Sequence, residues 1–399
     1  MRLRDLFQLA AAACLVAEPV LAQAAAPAVP APPAPAVLDS AVDEAYVPQD
    51  KDERGLWMEM EKVERELKVS PLVMRDPALN AYVKSVLCKL IGQARCAPVR
   101  LYIIRTSEFN ATMAPNGVLE VYSGLLLRSR NEAQLAAVLG HEYTHYARRH
   151  SLQLFRDVRS KSSTTMWFSL MVGGLLASLM ILPSIFKHSR EMEEEADRGG
   201  LALMSHAGYD TREAAHIWEQ LREEMDATAL ARQTRSRKDK DGGMFADHPP
   251  SADRVKYLTT AAAADPGKPG NTGQDAYATA MAPYWGDFAD DQIKQNDFGA
   301  SDYLITSLGK QGWTDWLWFA RGELYRRHAG AGEFEKAVGF YGEGIAAGSA
   351  MPELWRGRGL TLLKLGRTDE GKADLTEYLR RAPNASDRAI IAMMAGVQS

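Results

Sequence analysis

Apolar residues recur along this chain with two different periods, and the periods mark out its elements. Asp76 and Pro77 open the clearest helical run, as cap and first residue, and Leu79, Tyr82, Val83, Val86, Leu87, Leu90 and Ile91 follow on one face. This spacing predicts a core helix. Residues 99–105, VRLYIIR, and 118–124, VLEVYSG, are instead rich in β-branched and aromatic side chains. They predict two strands of a short sheet around a turn region containing Asn, Pro and Gly. Another helix comes next: Ser129 and Glu132 read as a capping box, and Leu135, Ala136, Leu139 and Ala147 continue an apolar stripe.

Farther on, residues 260–276, TAAAADPGKPGNTGQDA, are dominated by small residues, Gly and Pro, which predicts a domain boundary. The expected division is a first domain at 44–265, a linker at 266–287 and a helical domain at 288–399. The last carries an internal repeat. The stretch from Leu317 aligns with that from Leu354, a period of 37 residues, close to the roughly 34 of tetratricopeptide repeats. Both copies have Gly where that pattern has a small residue, with Ala337 and Ala373 at its second small position and Pro383 closing the later copy. Stacked helix pairs of this kind build a concave surface for extended polypeptide, so a protein partner or client is expected.

Candidate chemistry concentrates in GHEYTHYARRH, residues 140–150, which holds three of the chain's eight histidines. At about 100° per residue, His141 and His145 stand one helical turn apart on the same face, where both rings can reach one ion. His150 lies about 180° from His141 on such a helix and reads as a surface or cap residue. The result is the H-E-x-x-H pattern of zinc hydrolases, with Glu142 placed to take a proton from water activated by the metal. A catalytic zinc needs a third protein ligand and an open position. In HSREMEEEADRGG, residues 188–200, Glu193 and Asp197 are four apart, so the first suits a metal and the second a hydrogen bond from a ligand histidine. Glu191, Glu194 and Glu195 stay candidates too, since spacing does not choose among them.

These motifs resemble a known family, the zinc peptidases that include the CAAX prenyl protease and the heat-shock protease HtpX, and within it the periplasmic BepA-like branch with C-terminal tetratricopeptide repeats. The family's second motif, S-R-x-x-E-x-x-A-D, is matched by Ser189, Arg190, Glu193, Ala196 and Asp197. NATMAPNG at 110–117, SGLL at 123–126 and DHPPSADR at 247–254 resemble three further motifs, and the likeness covers about residues 45–265. Met113 and Ala114 depart from it where a more strongly apolar pair is usual. The resemblance implies a mainly helical zincin-type, gluzincin-like α+β domain holding one Zn2+ per chain through His141, His145 and Glu193, with Glu142 as base and Asp197 behind a ligand. It also implies that His248 can occupy the zinc's open position as a regulatory fourth ligand, that Arg254 supports the active site, and that an edge strand holds extended substrate by backbone pairing.

Residues 166–186, MWFSLMVGGLLASLMILPSIF, are long and apolar enough to span a bilayer. One crossing there would put His145 and Glu193 on opposite sides of the membrane, and Gly173, Gly174 and Pro183 divide the run into short pieces. A buried helical pair is expected, with peripheral membrane contact open.

Composition narrows the setting. With 399 residues and a net charge of −4, nothing calls for nucleic acid, and the basic run at 232–243 mixes both signs. Residues 1–24 read as a secretory signal peptide and 25–43 as an Ala/Pro-rich disordered linker, which places the mature protein in the periplasm. Export would leave Cys88 and Cys96 where disulfides persist, as a pair or as two free thiols. The leading function is an exported zinc endopeptidase acting on misassembled envelope proteins. Its competitor is a repeat-based periplasmic chaperone or scaffold whose protease activity is latent or vestigial.

Overall fold

A computed structural model describes residues 47–161, 188–239, 251–264 and 270–398. The expected signal peptide, the Ala/Pro-rich linker, the apolar run at 166–186 and His248 lie outside these described residues. Among the described residues, no helix is long and apolar enough to cross a membrane.

The first part is α1 (Lys51–Val69), β1 (Val73–Met74), α2 (Pro77–Ile91), α3 (Gln93–Cys96), β2 (Arg100–Ile104), β3 (Ala111–Met113), β4 (Val118–Tyr122) and α4 (Ser123–Arg128). Asp76 caps α2 by accepting from the Leu79 N–H, with Pro77 in the first turn. Cys88 and Cys96 form a disulfide between α2 and α3. The four strands make one mixed sheet in the order β1-β2-β4-β3, with β2 parallel to β4 and both outer pairs antiparallel. The β3–β4 turn closes through Gly117, whose φ of 82° is left-handed and suits a residue without Cβ.

Both faces of the sheet are covered. Ile103, Ala111, Met113, Leu119 and Val121 face the main core with α2, while Ile104, Val118 and Tyr122 pack under Leu56, Met60, Val63 and Leu67 of α1. Alternation along β4 therefore sorts side chains between two interiors rather than between core and water.

The helical remainder is α5 (Glu132–Ala147), α6 (His150–Lys161), α7 (Arg190–His206), α8 (Glu213–Ala231), α9 (Ala252–Ala263), α10 (Gln274–Met281), α11 (Trp285–Ile293), α12 (Phe298–Gly309), α13 (Asp315–His328), α14 (Glu333–Ala346), α15 (Pro352–Lys364), α16 (Thr368–Arg381) and α17 (Arg388–Ala395). The fold is α+β, as expected. The stretch expected as a linker contains α10, because Tyr277 and Met281 are core residues and the Tyr277 hydroxyl donates to the Leu126 carbonyl. Helices α13 and α14 pack as one hairpin and α15 and α16 as the next. Gly322 and Gly357 leave room for the buried Tyr341 ring between the pairs, where a Cβ would sit 2.3 and 2.6 Å from ring atoms. Ala337 is fully buried at this packing, whereas its counterpart Ala373 is exposed.

These hairpins share a core with the rest. Gly299 of α12 lies against the Ala227 carbonyl of α8. The buried Arg128 guanidinium joins Glu224 of α8, at 2.6 and 2.8 Å, to the Gln292 amide oxygen of α11, at 2.9 Å.

Candidate metal centre

Helix α5 carries His141, Glu142 and His145 through the middle of the fold, and all three are buried. Its N-cap is Asn131, which accepts from the Gln134 N–H. Ser129, expected to cap it, instead ends α4 and donates to the Leu125 carbonyl. Helix α7 starts at Ser189, whose side chain accepts from the Met192 N–H, and this fixes Glu193 in the first turn and Asp197 one turn later.

The two helices approach closely where glycine permits. A Cβ on Gly140 would sit 3.2 Å from the Gly200 Cα, and one on Gly199 would strike Thr144 at 2.5 Å. Backbone contact here brings Glu193 to the histidines. The Nε2 atoms of His141 and His145 are 3.0 Å apart, and the Glu193 carboxylate oxygens lie 3.5 and 3.4 Å from them. One donor atom from each residue falls within a common 4.8 Å span, and among the described residues no other such group of three forms. Two imidazoles and a carboxylate converging from adjacent helices fit zinc. Burial holds the His145 imidazole well below its usual pKa, with Glu193 opposing, so the ring is neutral as a ligand must be.

The other ring nitrogens are also held. His141 Nδ1 is 2.7 Å from Asp197 Oδ1. Arg254, capped into α9 by Ser251, donates to both Asp197 oxygens at 2.7 and 2.6 Å, and the Tyr257 hydroxyl donates to Oδ2. Burial pushes the Asp197 carboxyl up, but Arg254 and His141 more than offset it and hold it at about 2. The Arg254 guanidinium lies 3.7 Å above the Trp218 ring of α8, with Nη1 3.6 Å from Glu193. It thus ties Asp197 and Glu193 together at the cost of burying one cation between two anions.

The expected site residues His141, Glu142, His145, Glu193, Asp197 and Arg254 are therefore brought together. Glu191 and Glu194 stay outside, and Glu194 pairs with Arg198 on the surface. His150, expected as a surface or cap residue, opens α6 but is buried rather than at the surface. Helix α5 stops at Ala147, Arg149 turns the chain with a φ of 57°, and His150 folds back beneath His145, 1% exposed. His188, stacked on His145 at 4.1 Å and 23°, and Tyr257 and Trp218 had no sequence signal of their own.

A buried two-histidine, one-carboxylate set carried on adjacent helices behind a small mixed sheet defines the class, a helical metallopeptidase domain. Residues 75–262 match peptidase family M48. It is 27% identical over 177 residues to the beta-barrel assembly-enhancing protease of Escherichia coli, covering 39% of this chain and 35% of that protein. It is 34% identical over 145 residues to the mitochondrial metalloendopeptidase OMA1 of Schizosaccharomyces pombe, covering 35% of this chain and 43% of that one. The matched stretch thus spans less than half the length of these relatives.

Proposed function

We propose that this chain is an exported zinc-dependent endopeptidase, working in the quality control of envelope proteins. The convergence of the His141, His145 and Glu193 donors within 4.8 Å carries this reading. It supplies three protein ligands, leaving a position for water, where a purely structural site would have four. When bound, zinc lowers the pKa of water towards neutrality and polarises a peptide carbonyl.

The chain's own residues do the rest. Glu142, next to His141 with Oε1 4.0 Å from its Nε2, accepts the proton of the attacking water and passes it to the departing amine. Asp197 fixes the His141 ring through Nδ1–H, and Arg254 neutralises the paired carboxylates behind it. Strand β3, at one end of the sheet order, offers its backbone to an extended substrate. The stacked helix hairpins beyond α12 support a tetratricopeptide-like client surface, and the name of the bacterial relative points to proteins of the β-barrel assembly route as substrates.

Zinc content and casein cleavage test this directly. Glu142→Gln should keep one zinc per chain and lose hydrolysis, because it removes the base but no ligand; His141→Ala should lose both. Full activity in the Glu142→Gln protein would remove Glu142 from the mechanism.

A further inference from the structure

We propose that His150 and Glu195 form a positioning relay that orients the metal ligand His145. His150 is buried with its ring edge-on to His145, centroids 4.9 Å apart at 77°, and its Nδ1 lies 2.9 Å from His145 Nδ1. Its Nε2 lies 3.3 Å from Glu195 Oε2, and the other Glu195 oxygen is 2.9 Å from Arg148 Nε.

The tautomers follow in order. His145 points Nε2 at His141 and Glu193, so its lone pair belongs there and its proton sits on Nδ1. Two ring nitrogens 2.9 Å apart share one proton, so His145 Nδ1–H donates to an unprotonated His150 Nδ1. The His150 proton is then on Nε2, facing the Glu195 carboxylate. Both histidines stay neutral throughout, and each ring's rotation is fixed.

Asp197 does for His141 in one step what His150 and Glu195 do for His145 in two. A carboxylate thus stands behind each histidine ligand, direct on one side and relayed on the other. The turn at Arg149 is what makes the second possible, since on a continuous helix His150 would face away. Two residues without a role in the peptidase reading, a histidine expected as a surface or cap residue and an acid in a charged run, acquire one.

The relay presupposes the zinc site proposed above, and the two are separable by experiment. Zinc affinity of the full chain is measured by competition with a chelator, alongside thermal unfolding of the metal-free protein. His150→Phe keeps the ring volume but removes the acceptor, and should weaken zinc by about 10- to 100-fold with metal-free stability unchanged. His150→Gln, which restores an acceptor oxygen, should recover part of that loss. Glu195→Ala changes a half-exposed side chain that leaves folding intact, and should weaken zinc by about 10-fold or less. Wild-type affinity in both His150→Phe and Glu195→Ala overturns the relay; so does a loss in His150→Phe that His150→Gln fails to relieve. If His150→Phe does not fold, Glu195→Ala decides alone, unchanged affinity counting against the relay. Failure of the wild type itself to bind one zinc, or retention of zinc by His141→Ala, would instead overturn the site.

Discussion

Glu120 presents the sharpest energetic test in this fold. It sits in the middle of β4, between Tyr102 of β2 and Thr112 of β3, is fully buried, and neither carboxyl oxygen has a hydrogen-bond partner. Burial alone raises its pKa to about 8 from an ordinary 4.5. The folded state therefore holds this proton over a pH range in which the unfolded chain has released it. Glu120's contribution to stability is unchanged below about pH 4.5, becomes more unfavourable as pH rises towards 8, and is flat beyond. At about 1.4 kcal/mol per pH unit, the cost at pH 7 is about 3 kcal/mol.

Glu120→Gln removes the ionisation but keeps the shape and the unpartnered polar group, so the neutral costs cancel in the comparison. The variant is expected to match wild type near pH 4 and to exceed it by about 3 kcal/mol at pH 7. Unfolding in denaturant at a series of pH values, with both proteins at the same zinc loading, reads the difference directly. Histidines and the metal contribute equally to both proteins and drop out. Parallel stability curves for the two proteins, or a variant less stable at pH 7, would refute the assignment of an unpaired buried acid.

Arg254→Met takes the guanidinium from buried Asp197, leaving it only the His141 ring and the Tyr257 hydroxyl, and should cost about 3–5 kcal/mol in denaturant unfolding as well as weakening zinc. Deleting residues 288–399 strips α12 from α8 and removes Gln292 from the buried Arg128, so the remaining peptidase core is expected to melt at lower temperature and aggregate sooner than the full chain. A scan of light scattering against temperature would show this. His248→Ala is expected to raise basal casein cleavage at unchanged zinc content, as the family resemblance implies, with the gain abolished by adding Glu142→Gln; unchanged cleavage removes His248 from regulation.

Helix α2, the β2 and β4 strands and the H-E-x-x-H face were legible in the sequence because each rests on local periodicity, which needs no knowledge of neighbours. Glu193 needed a motif: four other acidic positions in the run fit a helix face as well, and only the Gly140–Gly200 contact decides which one meets the histidines. That contact had a faint signal, since glycine in a helix interior costs about 1 kcal/mol and usually has a packing reason. What failed was reading beyond one element. Ser129 and Asn131 both suit a cap, but Ser129 is taken by the preceding helix. Glu120 shares its strand face with Val118 and Tyr122, and it is α1, far earlier in the chain, that makes that face a second interior. His150 was misplaced because the helix was assumed to continue; Arg149 adopts positive φ without being Gly, Asn or Asp, so nothing in its side chain announces the break. Tertiary contacts meet at that turn: Arg149 Nη1 lies 3.4 Å from the buried Glu53 of α1, and His150 lies inward against the ligand ring. The same helix that buries Glu120 thus also clamps the turn behind His145, so a segment without catalytic residues conditions both the stability of the sheet and the geometry of the metal centre.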